Sequence, residues 1–309
     1  MIDKQGRTID YLRLSVTNKC NLNCAYCKHS GDNEEVLSID EIKKIINIFA
    51  RAGIRKVRLT GGEPLVREDI FEIIKTCSDT EGIRDIALTT NGILLPKMAQ
   101  KLKEAGLHRV NISIDSLEHG KYKKIARADN LGEALAGVDA AAEAGLAPVK
   151  INTVLMQGVN DNEIDNFIAL TKDKDVQVRF IEYMPMGKKH DGHYISAEEI
   201  VSQRPHLQIE GSSNGVAETL YRIDGHVGKV GFITPISRPF CENCNRVRIT
   251  ADCKIRHCLG DNMETDLREI LSLDDKTAEE TIKAAVEKKP TKGFCSGFVT
   301  NRGMGNIGG

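Results

Sequence analysis

Six short segments with β-type composition fall between residues 11 and 183, and a helix-periodic stretch separates each from the next. They read YLRLSVT (11–17), KVRLT (56–60), DIALTT (85–90), RVNISID (109–115), PVKINTVL (148–155) and VQVRFIEY (176–183). Repeated βα units of this kind impose parallel strands joined by right-handed crossovers. Two architectures satisfy that rule, an open doubly wound sheet and a barrel. Strands of a doubly wound sheet are covered on both faces and read as continuous apolar runs. Here Leu12, Leu14 and Val16 alternate with Arg13, Ser15 and Thr17, Val57 and Leu59 with Lys56 and Arg58, and Val149 and Ile151 with Lys150 and Asn152. Val176, Val178 and Phe180 alternate in the same way with Gln177 and Arg179. Residues i and i+2 share a face, so nearly every strand has one apolar and one polar, basic face. Burying Lys and Arg without partners is costly, so the shared interior must hold water or an anionic ligand. The pattern predicts an α/β fold built on a partial (βα)6 TIM-like barrel, wide and partly open, not the filled core of a closed eight-stranded one. Polar groups gather at the strands' C-terminal ends (Thr89, Thr90, Asn91, Ser113, Asp115), the end that carries chemistry in such barrels.

Helix punctuation agrees with this order. Ser38 and Glu41 form a capping box before DEIKKIINIFARAG, and Pro96 sits in the first turn of LLPKMAQKLKEAG. NLGEALAGVDAAAEAG and DNEIDNFIALTKDK complete the helical set. The barrel is expected over 1–185, a connecting segment over 186–214, and a small C-terminal domain over 215–309 with strand-like ETLYRI and HVGKVGFITPI and helices near 267–272 and 276–288. A module of that size is a natural place for a metal staple. The 309 residues carry a net charge of −1, so no bulk charge points to nucleic acid or an acidic membrane. MIDKQGRTID has no apolar leader and no apolar run approaches ~18 residues, so a cytoplasmic location is expected.

In that reducing compartment nine cysteines argue for metal or redox chemistry over a disulfide framework. Cys20, Cys24 and Cys27 follow the first strand as CNLNCAYC; Cys241, Cys244 and Cys258 form a second group in CENCNRVRITADCKIRHC. Cys77 lies in an apolar helical pattern and is expected in the core, while Cys253 and Cys295 stay unassigned. For the first group, zinc with His29 as a fourth ligand is one reading; the sharper one is a [4Fe–4S] cluster held by three thiolates with one iron left open. For the second group, spacing alone leaves a four-cysteine zinc ribbon using Cys253 and an open cluster both standing. Gly61–Pro64 (GGEP) ends the second strand, beside the first group. Arg246 and Arg248, an i, i+2 pair, join Arg13, Lys56, Arg58, Lys150 and Arg179 as cations suited to phosphate oxygens.

CNLNCAYC with GGEP resembles the radical S-adenosylmethionine (SAM) superfamily. RLSVTNKCNLNCAYC, KVRLTGGEPLVR, LTTNGILL, VNISIDSL, VKINTVLM, VRFIEYMPMG, CENCNRVRIT and the terminal Gly-Gly resemble, over residues 11–309, the GTP 3′,8-cyclase family of molybdenum cofactor biosynthesis. The resemblance implies a radical SAM barrel with a C-terminal iron–sulfur domain, two [4Fe–4S] clusters and SAM. It implies Cys20, Cys24 and Cys27 as ligands of the first cluster and Cys241, Cys244 and Cys258 as ligands of the second. Tyr26, Gly62, Ser113 and Met184 look like SAM contacts. Arg13, Arg58, Thr89, Lys150, Arg246 and Arg248 look like GTP contacts, joined by Lys56 and Arg179. A tail ending in Gly308 and Gly309 is expected to reach the active site. Further expectations are an external electron donor, hand-over to a cyclic pyranopterin synthase and possible homodimerisation. Lys28 and His29 stand where the family commonly has Met-Pro, and Cys253 where glycine is usual. A peptide-modifying radical SAM enzyme with an auxiliary cluster is the competing reading.

Overall fold

The computed structural model describes residues 1–27, 36–184, 192–212, 218–292, 300 and 302–307. Lys28, His29, Cys295, Gly308 and Gly309 lie outside the described residues. Twelve strands form one sheet: β1 (Tyr11–Ser15), β2 (Lys56–Thr60), β3 (Asp85–Thr90), β4 (Arg109–Ser113), β5 (Val149–Leu155), β6 (Val176–Glu182), β7 (Gln208–Ser212), β8 (Glu218–Arg222), β9 (Lys229–Ile233), β10 (Arg246–Ile249), β11 (Lys254–Arg256) and β12 (Glu264–Asp266). Their order is β12-β11-β10-β1-β2-β3-β4-β5-β6-β9-β8-β7. The six expected strands lie side by side in chain order and all pair in parallel. Two later strands lengthen the parallel run, β10 beside β1 and β9 beside β6. Antiparallel strands then finish each edge.

The apolar strand faces pack under helices. Leu12, Leu14, Val57, Leu59, Val110, Ile112, Ile151 and Val178 are all buried in one continuous core. The helix Ile39–Arg51 opens with the expected capping box at Ser38 and contributes Ile42, Ile45, Ile46, Ile48 and Phe49 to that core. Cys77 is buried there as expected. After β5 the expected long helix is shorter: a 3-10 turn, Asp161–Glu163, leads into Ile164–Ala169. Leu170 and Thr171 already donate to carbonyls three residues back, so the turn tightens and the helix stops. A helix at His119–Ala126 was not expected; its sequence, HGKYKKIA, is weakly periodic. Among the described residues no helix is long and apolar enough to cross a membrane.

Candidate active site

The first cysteine loop is built by its neighbours. Gly62 N–H donates to the Thr17 carbonyl at 2.8 Å and Glu63 N–H to the Lys19 carbonyl at 2.8 Å. A Cβ on Gly62 would lie 2.3 Å from the Lys19 carbonyl oxygen, so only glycine allows this approach. Glu63, 1% exposed, accepts from Thr90 Oγ1 at 2.7 Å, Asn91 N–H at 2.7 Å and Leu65 N–H at 3.0 Å. Burial pushes its carboxyl up to about 7 against these bonds. Asn91 Nδ2 then donates to Asn21 Oδ1 at 2.7 Å, inside the cysteine loop. From the other side, the end of the helix His119–Ala126 offers its Ile125 carbonyl to Ala25 N–H at 2.8 Å. The GGEP turn, the TTN end of β3 and this helix thus hold Cys20–Cys27 between them.

The donor chemistry of the loop fits a thiolate-bound cluster. Burial pushes all three thiols up, Cys27 to about 12, and each of the three has an acidic or thiol neighbour that adds to the rise. Leu22 N–H points at Cys20 Sγ at 3.4 Å, and Gly305 N–H bonds Cys27. Three thiols on one short loop with N–H donors are costly as bare thiolates; bound iron would relieve that cost, and the N–H groups would then brace the sulfurs. Tyr26 donates to Asp115 Oδ2 at 2.6 Å, and Asp115 Oδ1 accepts from Val154 N–H at 2.9 Å.

Next to the loop a cavity of about 610 Å³ is lined from β1 through β6 and from β8, β9 and β10, which requires the sheet to curl around it. Strand register explains its basic wall. Arg246 and Arg248 face Tyr11 and Arg13, which in turn face Lys56 and Arg58, so one all-arginine row and one row of two cations about a tyrosine cross three strands. Arg13, Lys56, Arg58, Thr89, Lys150, Arg179, Arg246 and Arg248 all line the cavity, as do Tyr26, Ser113 and Met184. Gly62 and the first three cysteines do not; Gly62 faces the Asn18–Lys19 backbone. The cations suffer in this company. Burial first, then Arg248, holds Arg13 well below its ordinary value; burial, then Arg246, brings Arg248 down to about 10. Burial lowers Arg179 to about 10 and Lys150 to about 8, with Glu218 opposing in each case. A polyanion relieves all of these at once.

Several wall residues carried no sequence signal of their own. Tyr11 accepts from Arg58 Nε; burial raises its phenol, but Arg58, Arg13 and Arg246 together pull it down to about 7. Its i, i+2 relation to Arg13 could have placed it. Glu218, from β8, stands 3.9 Å from both Lys150 Nζ and Arg179 Nη1, and Asn152 Oδ1 accepts from Arg179 Nε at 2.8 Å. Buried Arg246 Nε, Asn111 Oδ1 and His257 Nδ1, all on lining residues, have no hydrogen-bond partner among the described residues, which suits a wall that receives a polar ligand.

Cys241, Cys244 and Cys258 also line the cavity. Cys241 starts the 3-10 turn Cys241–Asn243, whose hydrogen bond from Cys244 N–H (3.3 Å) brings the two cysteines onto one turn, and Gly260 N–H points at Cys258 Sγ at 3.4 Å. Cys253 is elsewhere. It is fully buried in the core at φ +65°, in the turn between β10 and β11, a backbone conformation that favours glycine. Among the described residues no three Cys, His, Asp or Glu side chains converge on a single ion. The second set therefore offers three cavity-facing thiols, not a closed four-cysteine site.

Two family models cover the chain in succession: the radical SAM superfamily at residues 14–171 and Molybdenum Cofactor Synthesis C at residues 176–295. The chain is 44% identical to the GTP 3′,8-cyclase of Petrotoga mobilis, 45% to that of Alkaliphilus oremlandii and 41% to that of Thermodesulfovibrio yellowstonii, in each case over 100% of both chains. The chain belongs to the GTP 3′,8-cyclase family. Solved structures place the fold of this cyclase-family chain in wider company. Streptococcus suis SuiB matches with a TM-score of 0.60 at 13% identity, covering 92% of this chain and 69% of SuiB. SuiB bound to S-adenosylmethionine matches with a TM-score of 0.60 at 14% identity, over 91% and 68% of the two chains. At such identity the likeness shows the fold alone, and the full-length relatives decide the family. Membership brings two [4Fe–4S] clusters and SAM, and the two cysteine sets supply donors of the right chemistry.

Proposed function

We propose that the chain converts GTP into (8S)-3′,8-cyclo-7,8-dihydroguanosine 5′-triphosphate, the first step of molybdenum cofactor biosynthesis. The observation that carries this is the double row Arg246–Tyr11–Lys56 and Arg248–Arg13–Arg58 on the wall of a cavity that Cys241, Cys244 and Cys258 also line and that Tyr26 of the first loop reaches. Guanidinium forks match phosphate oxygens, and Lys150 and Arg179 extend the positive wall. Thr89 is held beside Arg58 by a 3.3 Å hydrogen bond and so shares that subsite. In this reading Cys20, Cys24 and Cys27 hold the cluster that works with SAM, and Tyr26, Gly62, Ser113 and Met184 serve the SAM side. Cys241, Cys244 and Cys258 hold the second cluster on the guanine side. When bound at Cys20, Cys24 and Cys27, the first cluster would supply the electron that cleaves SAM to methionine and the 5′-deoxyadenosyl radical, the species that would take the ribose 3′ hydrogen. The protein holds the 3′ carbon against guanine C8, so that the carbon–carbon bond forms within one nucleotide, and keeps water out; the cyclised radical would then take one electron from the external donor and one proton to give the isomer of GTP. Tyr26, fixed by Asp115, fills the wall between the first loop and the cavity. The reading also gives Gly308 and Gly309 a role at the substrate, supported by Met304, which lines the cavity, and Gly305, which bonds Cys27.

The same reading divides the chain into a barrel through 185, a connector over 186–214 and a cluster-bearing part from 215. It includes an external electron donor, product hand-over to a cyclic pyranopterin synthase, possible homodimerisation and a cytoplasmic location. The deciding assay is anaerobic: SAM, a strong reductant and each nucleoside triphosphate in turn, with 5′-deoxyadenosine and any nucleotide isomer quantified. The expected result is SAM cleavage enhanced by GTP alone, with a GTP isomer formed. Cleavage indifferent to every nucleotide would overturn the substrate and favour peptide modification.

A further inference from the structure

The second cysteine set is gripped by two buried cations, Lys289 and Arg7, that line the same cavity but lie outside the double row of β10, β1 and β2. Lys289, 5% exposed, follows the helix Asp275–Glu287. Its Nζ donates to the His257 carbonyl at 2.8 Å, next to Cys258, and hydrogen-bonds the Cys244 side chain. Arg7, 7% exposed, comes from the N-terminal segment. Its Nη1 donates to the Cys241 carbonyl at 2.7 Å, and its Nη2 to the Lys289 and Pro290 carbonyls at 3.4 and 3.0 Å. Asp3, itself 5% exposed, holds Arg7 by a 2.6 Å bond to Nε and a 3.0 Å bond from its N–H. Each of the three cysteines is therefore touched, directly or through its own or its neighbour's carbonyl, by Lys289 or Arg7. The two cations are joined to each other through the Lys289 carbonyl.

We infer that Lys289 is the positioning and charge-setting residue of the second cluster, and that the Asp3–Arg7 clasp holds it there. A cluster with three thiolates carries excess negative charge in a buried place, and a hydrogen-bonded ammonium at one sulfur lowers the cost of adding an electron. Charge at Lys289 thus favours the reduced cluster and keeps Cys244 and Cys258 in register, while Arg7 acts only through Lys289 and the Cys241 turn. The inference rests on Cys241, Cys244 and Cys258 being the ligands of that cluster.

The test uses anaerobically reconstituted holoenzyme, wild type against Lys289→Gln, Lys289→Arg and Arg7→Lys. Iron per chain is measured, and each cluster's reduction potential is followed by electron paramagnetic resonance, with SAM addition identifying the first cluster's signal. Lys289→Gln is expected to lower the second potential by at least the tenfold step of a one-electron couple, about 59 mV, with the first unchanged. Lys289→Arg restores most of it, and Arg7→Lys lowers it less than Lys289→Gln. Full iron with an unchanged second potential in Lys289→Gln overturns the inference and leaves the ligands standing. If Lys289→Gln loses the second cluster, Lys289→Arg decides: retention supports a role for charge, and equal loss overturns it. Wild-type protein holding one cluster's iron overturns the ligand assignment and the inference with it.

Discussion

Replacing Glu218 by Gln removes the carboxylate that offsets the cavity's crowded cations while keeping the side chain's shape. Glu218 Oε2 is 3.9 Å from Lys150 Nζ and 3.9 Å from Arg179 Nη1, with all three side chains largely buried. At that separation and an effective dielectric near 20, each attraction is about 4 kcal/mol. The desolvation of the ions cancels much of this, and removing one partner of a buried pair leaves a net loss of about 3–5 kcal/mol. For a chain of this size that corresponds to a fall in Tm of about 6–10 °C. Under the proposed assignment GTP brings its own negative charge to Lys150 and Arg179, so it should compensate the variant more than the wild type. The assay is differential scanning fluorimetry with and without saturating GTP. Nucleotide-free Tm is expected to fall in Glu218→Gln, and the GTP-induced rise to exceed that of wild type. A lowered Tm with an unchanged GTP-induced rise would refute the reasoning, because Glu218 would then be a packing residue with no tie to the anion site.

Other outcomes follow from the same geometry. Cys258→Ser is expected to remove about half of the bound iron, one cluster of two, whereas Cys253→Ser keeps the iron and lowers stability, read by iron assay and thermal melts. Lys150 sits at about 8, so GTP affinity measured by calorimetry is expected to weaken as pH rises through 8 and the ammonium is lost. The stability sign is the opposite: between 8 and the ordinary lysine value the unfolded chain binds the extra proton, so this group's contribution to nucleotide-free stability rises with pH over that window. Glu63→Gln turns an acceptor of two N–H groups and a hydroxyl into a partial donor; a loss of about 1–3 kcal/mol and weaker SAM binding are expected in melts and equilibrium dialysis. Deleting Gly308 and Gly309 is expected to abolish the cyclised nucleotide while SAM is still cleaved; unchanged product would remove the tail from the site.

What the sequence disclosed and what it hid divide along contact range. The order of β1 to β6, the buried and lining faces of Arg13, Arg58 and Lys150, and the place of the cysteine loop all follow from period-two alternation and short spacings. The neighbours of that set come from far away in the chain. Alternation puts Arg246 and Arg248 on one face, but only the register of β10 with β1 puts that face beside Arg13. Glu218, Lys289 and Arg7 look like ordinary surface charges in their local windows; a partner on another element makes each of them buried. The helix His119–Ala126 has a weak sequence signal because its lysines blur the stripe formed by Tyr122, Ile125 and Ala126. Cys253 shows the converse. Its side chain suggests a ligand, but the left-handed turn it occupies is a backbone matter.

The pairing of β1 with β10 sets an order of assembly. Asp10 and Asn245, 235 positions apart, close the seam with a 2.7 Å hydrogen bond. A growing chain exposes its first three cysteines early and gains Arg246 and Arg248 only near its end. Until then one wall of the chamber is missing, and Arg13 and Arg58 lack the neighbour that completes their row. A chain truncated before Arg246 is therefore expected to be inert toward GTP however well its first loop is loaded.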